Sequence, residues 1–125
     1  MRVLIADDSP LIAQRVSAML AVIGGVEVVG QVESVAEAQE AVRRLEPDVL
    51  ILDFRMPGGS GLNVLESIKR DRVSPIVIVL TNYAFPQYRV KCLESGARFF
   101  LDKSTEFEKV AEVLQGLVRD SQKER

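Results

Sequence analysis

The chain has 125 residues, enough for one compact domain with little room for a second. Hydrophobic residues make up 47%, which argues against wholesale disorder, and 16 Lys and Arg against 18 Asp and Glu leave a net charge of −2, which gives no support to a nucleic-acid-binding surface. With no histidine and one cysteine, Cys92, the chain cannot build a Ser-His-Asp triad, a His-ligated zinc site, an internal disulfide or a thiolate cage.

In chain order, Val3–Ala6 reads as a buried strand. Ser9 offers an N-cap and Pro10 a first-turn residue for a helix carrying Ile12, Val16, Met19 or Leu20, and Ile23, stopped by Gly24-Gly25. Val26–Val32 reads as an edge strand. Ser34 and Glu37 form a capping box before a helical stripe of Val35, Ala38, Val42 and Leu45, which ends before Pro47. Val49–Leu52 is a fully apolar strand, followed by a loop from Asp53 to Gly61 and a helix marked by Leu62, Leu65 and Ile68.

The next strand is Ile76–Leu80, rich in β-branched residues. Pro86 suits the start of a fourth helix with Val90 and Leu93 inward, stopped at Gly96. Phe99–Leu101 is a short fifth strand. Ser104 or Thr105 is expected to cap a last helix with Phe107, Val110, Leu114 and Leu117 on one face. Residues 1–120 read as a single domain, and the polar tail, 121–125, is expected to fray.

Five strand–helix pairs in strict alternation imply an α/β fold with a parallel sheet covered on both faces by right-handed crossovers. The apolar runs are strand-sized, so no membrane span is expected. The N-terminus does not read as a signal peptide, and the lone cysteine suits a reducing cytoplasm.

The position of the acids carries more information than their number. Asp7 and Asp8 follow the first strand, Asp53 the third, Thr81 the fourth, and Lys103 the fifth by one residue. All therefore leave the carboxyl edge of the sheet, where open α/β sheets bind ligands at a topological switch point. In the doubly wound, flavodoxin-like order 2-1-3-4-5 the first and third strands are neighbours, so Asp7, Asp8 and Asp53 converge. Like charges at ~4 Å cost roughly 1 kcal/mol in water and about 4 at an effective dielectric near 20. Proton uptake or a bound cation relieves this, and an oxygen-only cluster suits a hard ion, Mg²⁺ or Mn²⁺, which also holds a phosphate oxygen. Taken singly, Asp8 is a turn former or N-cap, Lys103 a solvated charge and Thr81 a loop hydroxyl. The ordered set, each member at a strand end, outweighs these separate readings.

The segments VLIADDSP, DVLILDFRMPGGSG, IVIVLTNY and GARFFLDKS resemble those of response-regulator receiver domains of two-component signalling, and the resemblance covers essentially the whole chain. It implies that Asp53 is the phosphoacceptor, that Asp8 and Asp53 ligate Mg²⁺ directly with Asp7 acting mainly through water, and that the backbone carbonyl of Arg55 completes the protein ligands. It implies that Thr81 bonds one phosphoryl oxygen and Lys103 pairs with another. Phe100 matches the aromatic switch position, expected to turn inward as Thr81 moves. Pro57 and Gly61 match the loop beside the acceptor.

The implied partners are a histidine kinase or histidine phosphotransfer protein, which must supply any phosphohistidine, and an output protein or C-terminal output domain. A homodimer on phosphorylation is also expected, with the helix four, strand five and helix five surface changing its presentation. The chain then acts as a regulatory phosphoacceptor, not an enzyme on other substrates. Ser104 departs from the proline often found after this lysine, which leaves open the geometry of the Lys103–Ser104 peptide. Arg55 and Tyr83 occupy the variable positions that tune hydrolysis, and both are bulky. Tyr83, Phe85 and Tyr88 form either a partner surface or core packing. The rivals are an Asp-nucleophile phosphatase, disfavoured because its first-strand signature is Asp-x-Asp, and a receiver-like module that works without phosphorylation.

Overall fold

The computed structural model describes residues 1–123. In chain order the elements are β1 (Arg2–Ala6), α1 (Pro10–Ala21), β2 (Glu27–Val32), α2 (Val35–Leu45), β3 (Val49–Leu52), β4 (Arg55–Met56), β5 (Gly59–Ser60), α3 (Gly61–Arg70), β6 (Ile76–Thr81), α4 (Pro86–Glu94), β7 (Phe99–Asp102) and α5 (Lys109–Lys123). The main sheet is five-stranded and parallel, in the order β2-β1-β3-β6-β7, with β4 and β5 as a separate two-residue hairpin. Once that hairpin is set aside, this is the expected 2-1-3-4-5 order.

Strand periodicity divides the core in two. Leu4, Ala6, Leu50, Leu52, Val77, Val79 and Phe100 share a cluster with residues of α2, α3 and α4. Val3, Ile5, Val49, Ile51, Ile78, Leu80 and Leu101 share the other with α1 and α5. A central strand buried on both faces has no polar alternation, which is why β3 is four apolar residues in a row. Each fully buried Leu or Ile contributes roughly 1.5–3 kcal/mol relative to exposure, so this double core dominates stability.

Local signals set most boundaries. Ser9 caps α1 by accepting from the Ile12 N–H, with Pro10 in the first turn. The glycine pair does not end α1 directly, because the helix stops at Ala21 and a turn carries Ile23 back into the core. Ser34 caps α2 by accepting from the Glu37 N–H at 3.2 Å, but Glu37 Oε1 reaches the Glu33 N–H at 3.1 Å, one residue before the cap. Ser34→Ala should therefore cost about 1 kcal/mol. Thermal unfolding measures it as a midpoint lowered by roughly 2–8 °C, and no shift would mean the cap is dispensable.

Three expectations need correction. Val90 and Leu93 of α4 do not point inward, being 52% and 37% exposed; Cys92 is the buried residue of that helix. Neither Ser104 nor Thr105 caps the last helix, which begins at Lys109. Ser104 instead donates from both its N–H and its hydroxyl to Asp102 Oδ1, closing a turn directly after β7. The loop expected from Asp53 to Gly61 contains the β4–β5 hairpin, and α3 starts at its last residue, Gly61, capped by Ser60 in a capping box with Asn63.

The last helix continues to Lys123, and the fraying expected of the tail falls partly on residues 124 and 125, outside the described residues. No peptide bond among the described residues is cis, Lys103–Ser104 included. No described helix is long and apolar enough to cross a membrane.

Candidate functional site

Register places the acids. Ala6 pairs with Leu52, so the residues that follow, Asp7 and Asp53, leave neighbouring strands side by side. The Asp53 N–H donates to the Ala6 carbonyl at 2.9 Å and the Asp7 N–H to the Val32 carbonyl at 3.0 Å, extending the ladder to the rim. On the other side the Lys103 N–H donates to the Thr81 carbonyl at 2.9 Å. Thr81 is the last residue of β6 and fully buried, not a loop residue after it.

The sequence set comes together. Lys103 Nζ lies 2.7 Å from Asp7 Oδ2 and 3.0 Å from Asp53 Oδ2, and all three residues are buried, Lys103 8% and Asp53 6% exposed. One carboxylate oxygen from each of Asp7, Asp8 and Asp53 lies within 4.8 Å of the others. Asp8 is exposed at the mouth.

The carboxylate oxygens are not equivalent. Asp7 uses both, one for Lys103 and one for the Ser9 N–H at 2.9 Å. Asp53 uses Oδ2 for Lys103, whereas its Oδ1 is buried with no hydrogen-bond partner. A buried unpartnered carboxylate oxygen is costly in a purely structural residue and expected of one that takes a ligand.

The charges follow from this packing. Burial pushes the Asp53 carboxyl above the usual range, Lys103 opposes it by charge and hydrogen bond, and Asp7 adds a smaller upward push. For Lys103, burial favours the neutral amine, but Asp7 and Asp53 together outweigh it and hold the ammonium above its ordinary range. The site therefore keeps its cation and makes Asp53 harder to ionise.

Around this centre, Tyr83 donates its N–H to Thr81 Oγ1 at 3.0 Å, which leaves the hydroxyl hydrogen free to donate elsewhere. Arg55 begins β4, two residues past Asp53, and its guanidinium carbon sits 4.6 Å from the centroid of the Tyr83 ring. The carbonyl expected to complete the protein ligands thus belongs to the hairpin strand paired with Ser60. Gly61 lies close against the acid loop: a Cβ there would sit 3.1 Å from the Asp53 carbonyl oxygen, so a side chain would need that backbone to shift by a few tenths of an ångström. Phe100 is 5% exposed and packed in the cluster with α4, so the expected inward turn starts from a ring already inside.

Two parts of the site went unread in the sequence. The Asp102–Ser104–Glu106 turn fixes the backbone on both sides of Lys103, with the Asp102 N–H donating to Glu106 Oε1 at 3.1 Å. The alternation of acids and hydroxyls at 102, 104 and 106 is its signal. Phe54, directly after Asp53, stacks on Tyr88 of α4 with centroids 4.5 Å apart.

Comparison with known proteins agrees with this fold. The family model for the response regulator receiver domain matches residues 3–115. The uncharacterized transcriptional regulatory protein YvfU of Bacillus subtilis is 34% identical over 118 residues, 94% of this chain and 59% of the relative. Response regulator GacA of Pseudomonas viridiflava is 33% identical over 116 residues, 93% of this chain and 53% of the relative. The chain thus spans little more than half of these longer proteins. Among solved structures, the response regulator domain of Thermotoga maritima CheB superposes with a TM-score of 0.84 at 28% identity, covering 96% of this chain and 94% of that one. The Salmonella typhimurium RcsB response regulator superposes with a TM-score of 0.80 at 32% identity, covering 93% and 60%.

Proposed function

Because the chain belongs to the response regulator receiver domain family of two-component signalling, we propose that it takes a phosphoryl group onto Asp53 Oδ1 from a phosphohistidine on a partner kinase or phosphotransfer protein. The observation that carries this reading is the unpartnered Oδ1, buried beside a lysine that already neutralises its twin oxygen. In the transfer, an Oδ1–phosphorus bond forms as the phosphorus–nitrogen bond of the donor imidazole breaks, and the nitrogen keeps the electron pair. Lys103 stays charged and faces the equatorial oxygens, and the Thr81 hydroxyl hydrogen is available to one of them. Catalysis is then positioning plus electrostatics, with no proton to move at Asp53 once it is ionised.

The donor set fits a hard divalent cation, all oxygen with no imidazole or thiolate. Asp8 and Asp53 Oδ1 have oxygens to give, with the Arg55 carbonyl as a third protein ligand, whereas both oxygens of Asp7 are engaged, which suits action through water. Mg²⁺, or Mn²⁺ in its place, supplies positive charge against the acceptor and the phosphoryl oxygens when bound. Phosphorylation then draws Thr81 toward the new group, Phe100 repacks from its buried position, and the α4-β7-α5 surface changes its affinity for an output protein, an attached output domain or a second copy. Such partners suit a regulatory switch that works in the cytoplasm.

The experiment is phosphorylation by acetyl phosphate with and without Mg²⁺, located by peptide mass. Label on Asp53 that requires the cation is expected, and label elsewhere rejects the reading.

Arg55 stacked on Tyr83 shields the phosphorylated Asp53 from water. Such an exposed cation–π contact is worth about 0.5–1 kcal/mol, so Arg55→Ala or Tyr83→Ala should each speed phosphate release roughly two- to fivefold. The double variant should release little faster than either single one, because each substitution alone already breaks the pair. Unchanged release in all three means both side chains point aside.

A further inference from the structure

α4 is the least secured helix of the domain. Its N-cap residue, Phe85, makes no side-chain cap, and Cys92 is its one buried residue. What else holds it comes from two adjacent residues of its first turns. Tyr88 stacks nearly parallel on Phe54, with rings 19° apart. Arg89 Nη1 donates to the Phe100 carbonyl at 3.1 Å. One tether therefore runs to the residue following Asp53, and the other to the strand that carries Lys103's neighbours.

The Phe54 ring is rigidly referenced to the acceptor. Its backbone follows the Asp53 N–H bond to Ala6, and its carbonyl accepts from the Gly61 N–H at 2.6 Å. Phe85 then meets Tyr88 edge-on at 5.7 Å and is itself exposed. Three rings thus lead from the backbone of Asp53 to the surface at the start of α4.

We propose that Tyr88 is a positioning residue, coupling Asp53 to α4 through Phe54 by a route that bypasses Thr81 and Phe100. This rests on the phosphoacceptor reading and adds how the helix senses the site. A displacement of the loop after Asp53 moves the Phe54 ring, the stacked Tyr88 ring follows, and the lightly held helix turns with it. Coupling is reciprocal, so a partner that seats on α4 also biases the loop around Asp53.

Beryllofluoride with Mg²⁺ tests this, read by backbone amide shifts in the 125-residue chain. In the wild type, the amides of Asp53, Thr81 and α4 all shift. In Tyr88→Leu the Asp53 and Thr81 amides still respond, while the α4 shifts fall by about twofold or more. Tyr88→Phe, which keeps the ring, restores them. Phe85→Ala, which removes the exposed ring that meets Tyr88 edge-on, reduces the shifts at the start of α4. An α4 response in Tyr88→Leu equal to wild type, with Asp53 responding, overturns the coupling. No response at Asp53 or Thr81 in the wild type defeats the phosphoacceptor reading, and the coupling with it.

Discussion

Asp53→Asn should lower Mg²⁺-dependent phosphorylation by at least roughly 100-fold, because an amide oxygen is a poor nucleophile and carries no charge for the cation. The same substitution should not unfold the chain. Burial raises the Asp53 pKa, so between the ordinary carboxylate value and that raised value the folded chain holds a proton that the unfolded chain has released. Stability therefore falls as pH rises through this window, and at neutral pH ionised Asp53 weakens the fold. Asn carries no proton to lose. The variant should unfold no more easily than wild type at neutral pH, and its stability should vary less across the acidic range. Urea unfolding at several pH values checks both. A neutral-pH loss beyond about 1 kcal/mol would show that the Asp53 carboxylate is needed to hold Lys103, whose hydrogen bond to it is charge-assisted.

The frame of this site was legible in the sequence because sheet edges follow from strand ends. Val49–Leu52 could only be a strand buried on both faces, and the acid after it could only leave at the rim. Asp7 and Lys103, 96 residues apart, meet for the same reason. The failures share a cause as well. Val90 and Leu93 looked inward because apolar spacing cannot say which face of a thinly packed helix meets the core; Cys92 and Tyr88 take that face. Ser104 looked like a cap because a hydroxyl before a periodic run is a cap signal, but Asp102 two residues earlier captures it. The hairpin at Arg55–Ser60 was too short for any periodicity to show. No pattern along the chain points from Phe54 to Tyr88, 34 positions later, so their stacking shows only in the fold.

Lys103→Met should have the largest combined effect of any single change outside the acceptor. Its ammonium lies between two buried carboxylates, and methionine of similar length leaves them facing each other with no cation. Breaking a buried ion pair by removing one partner costs roughly 3–5 kcal/mol, unless the carboxylates take up a proton instead. Adding Mg²⁺ should therefore recover more stability in this variant than in wild type, because the cation binds the folded cluster and relieves the same repulsion. Phosphorylation should respond differently. Removing one charge aimed at the developing transition state typically costs about 10²–10³ in rate. Saturating Mg²⁺ should restore the melting temperature without restoring that rate, since a cation held by Asp8 and Asp53 would not replace the charge that Lys103 supplies to the phosphoryl oxygens. Recovery of both together would reduce Lys103 to a structural counter-ion, and a variant that phosphorylates normally at any Mg²⁺ concentration would remove it from the site.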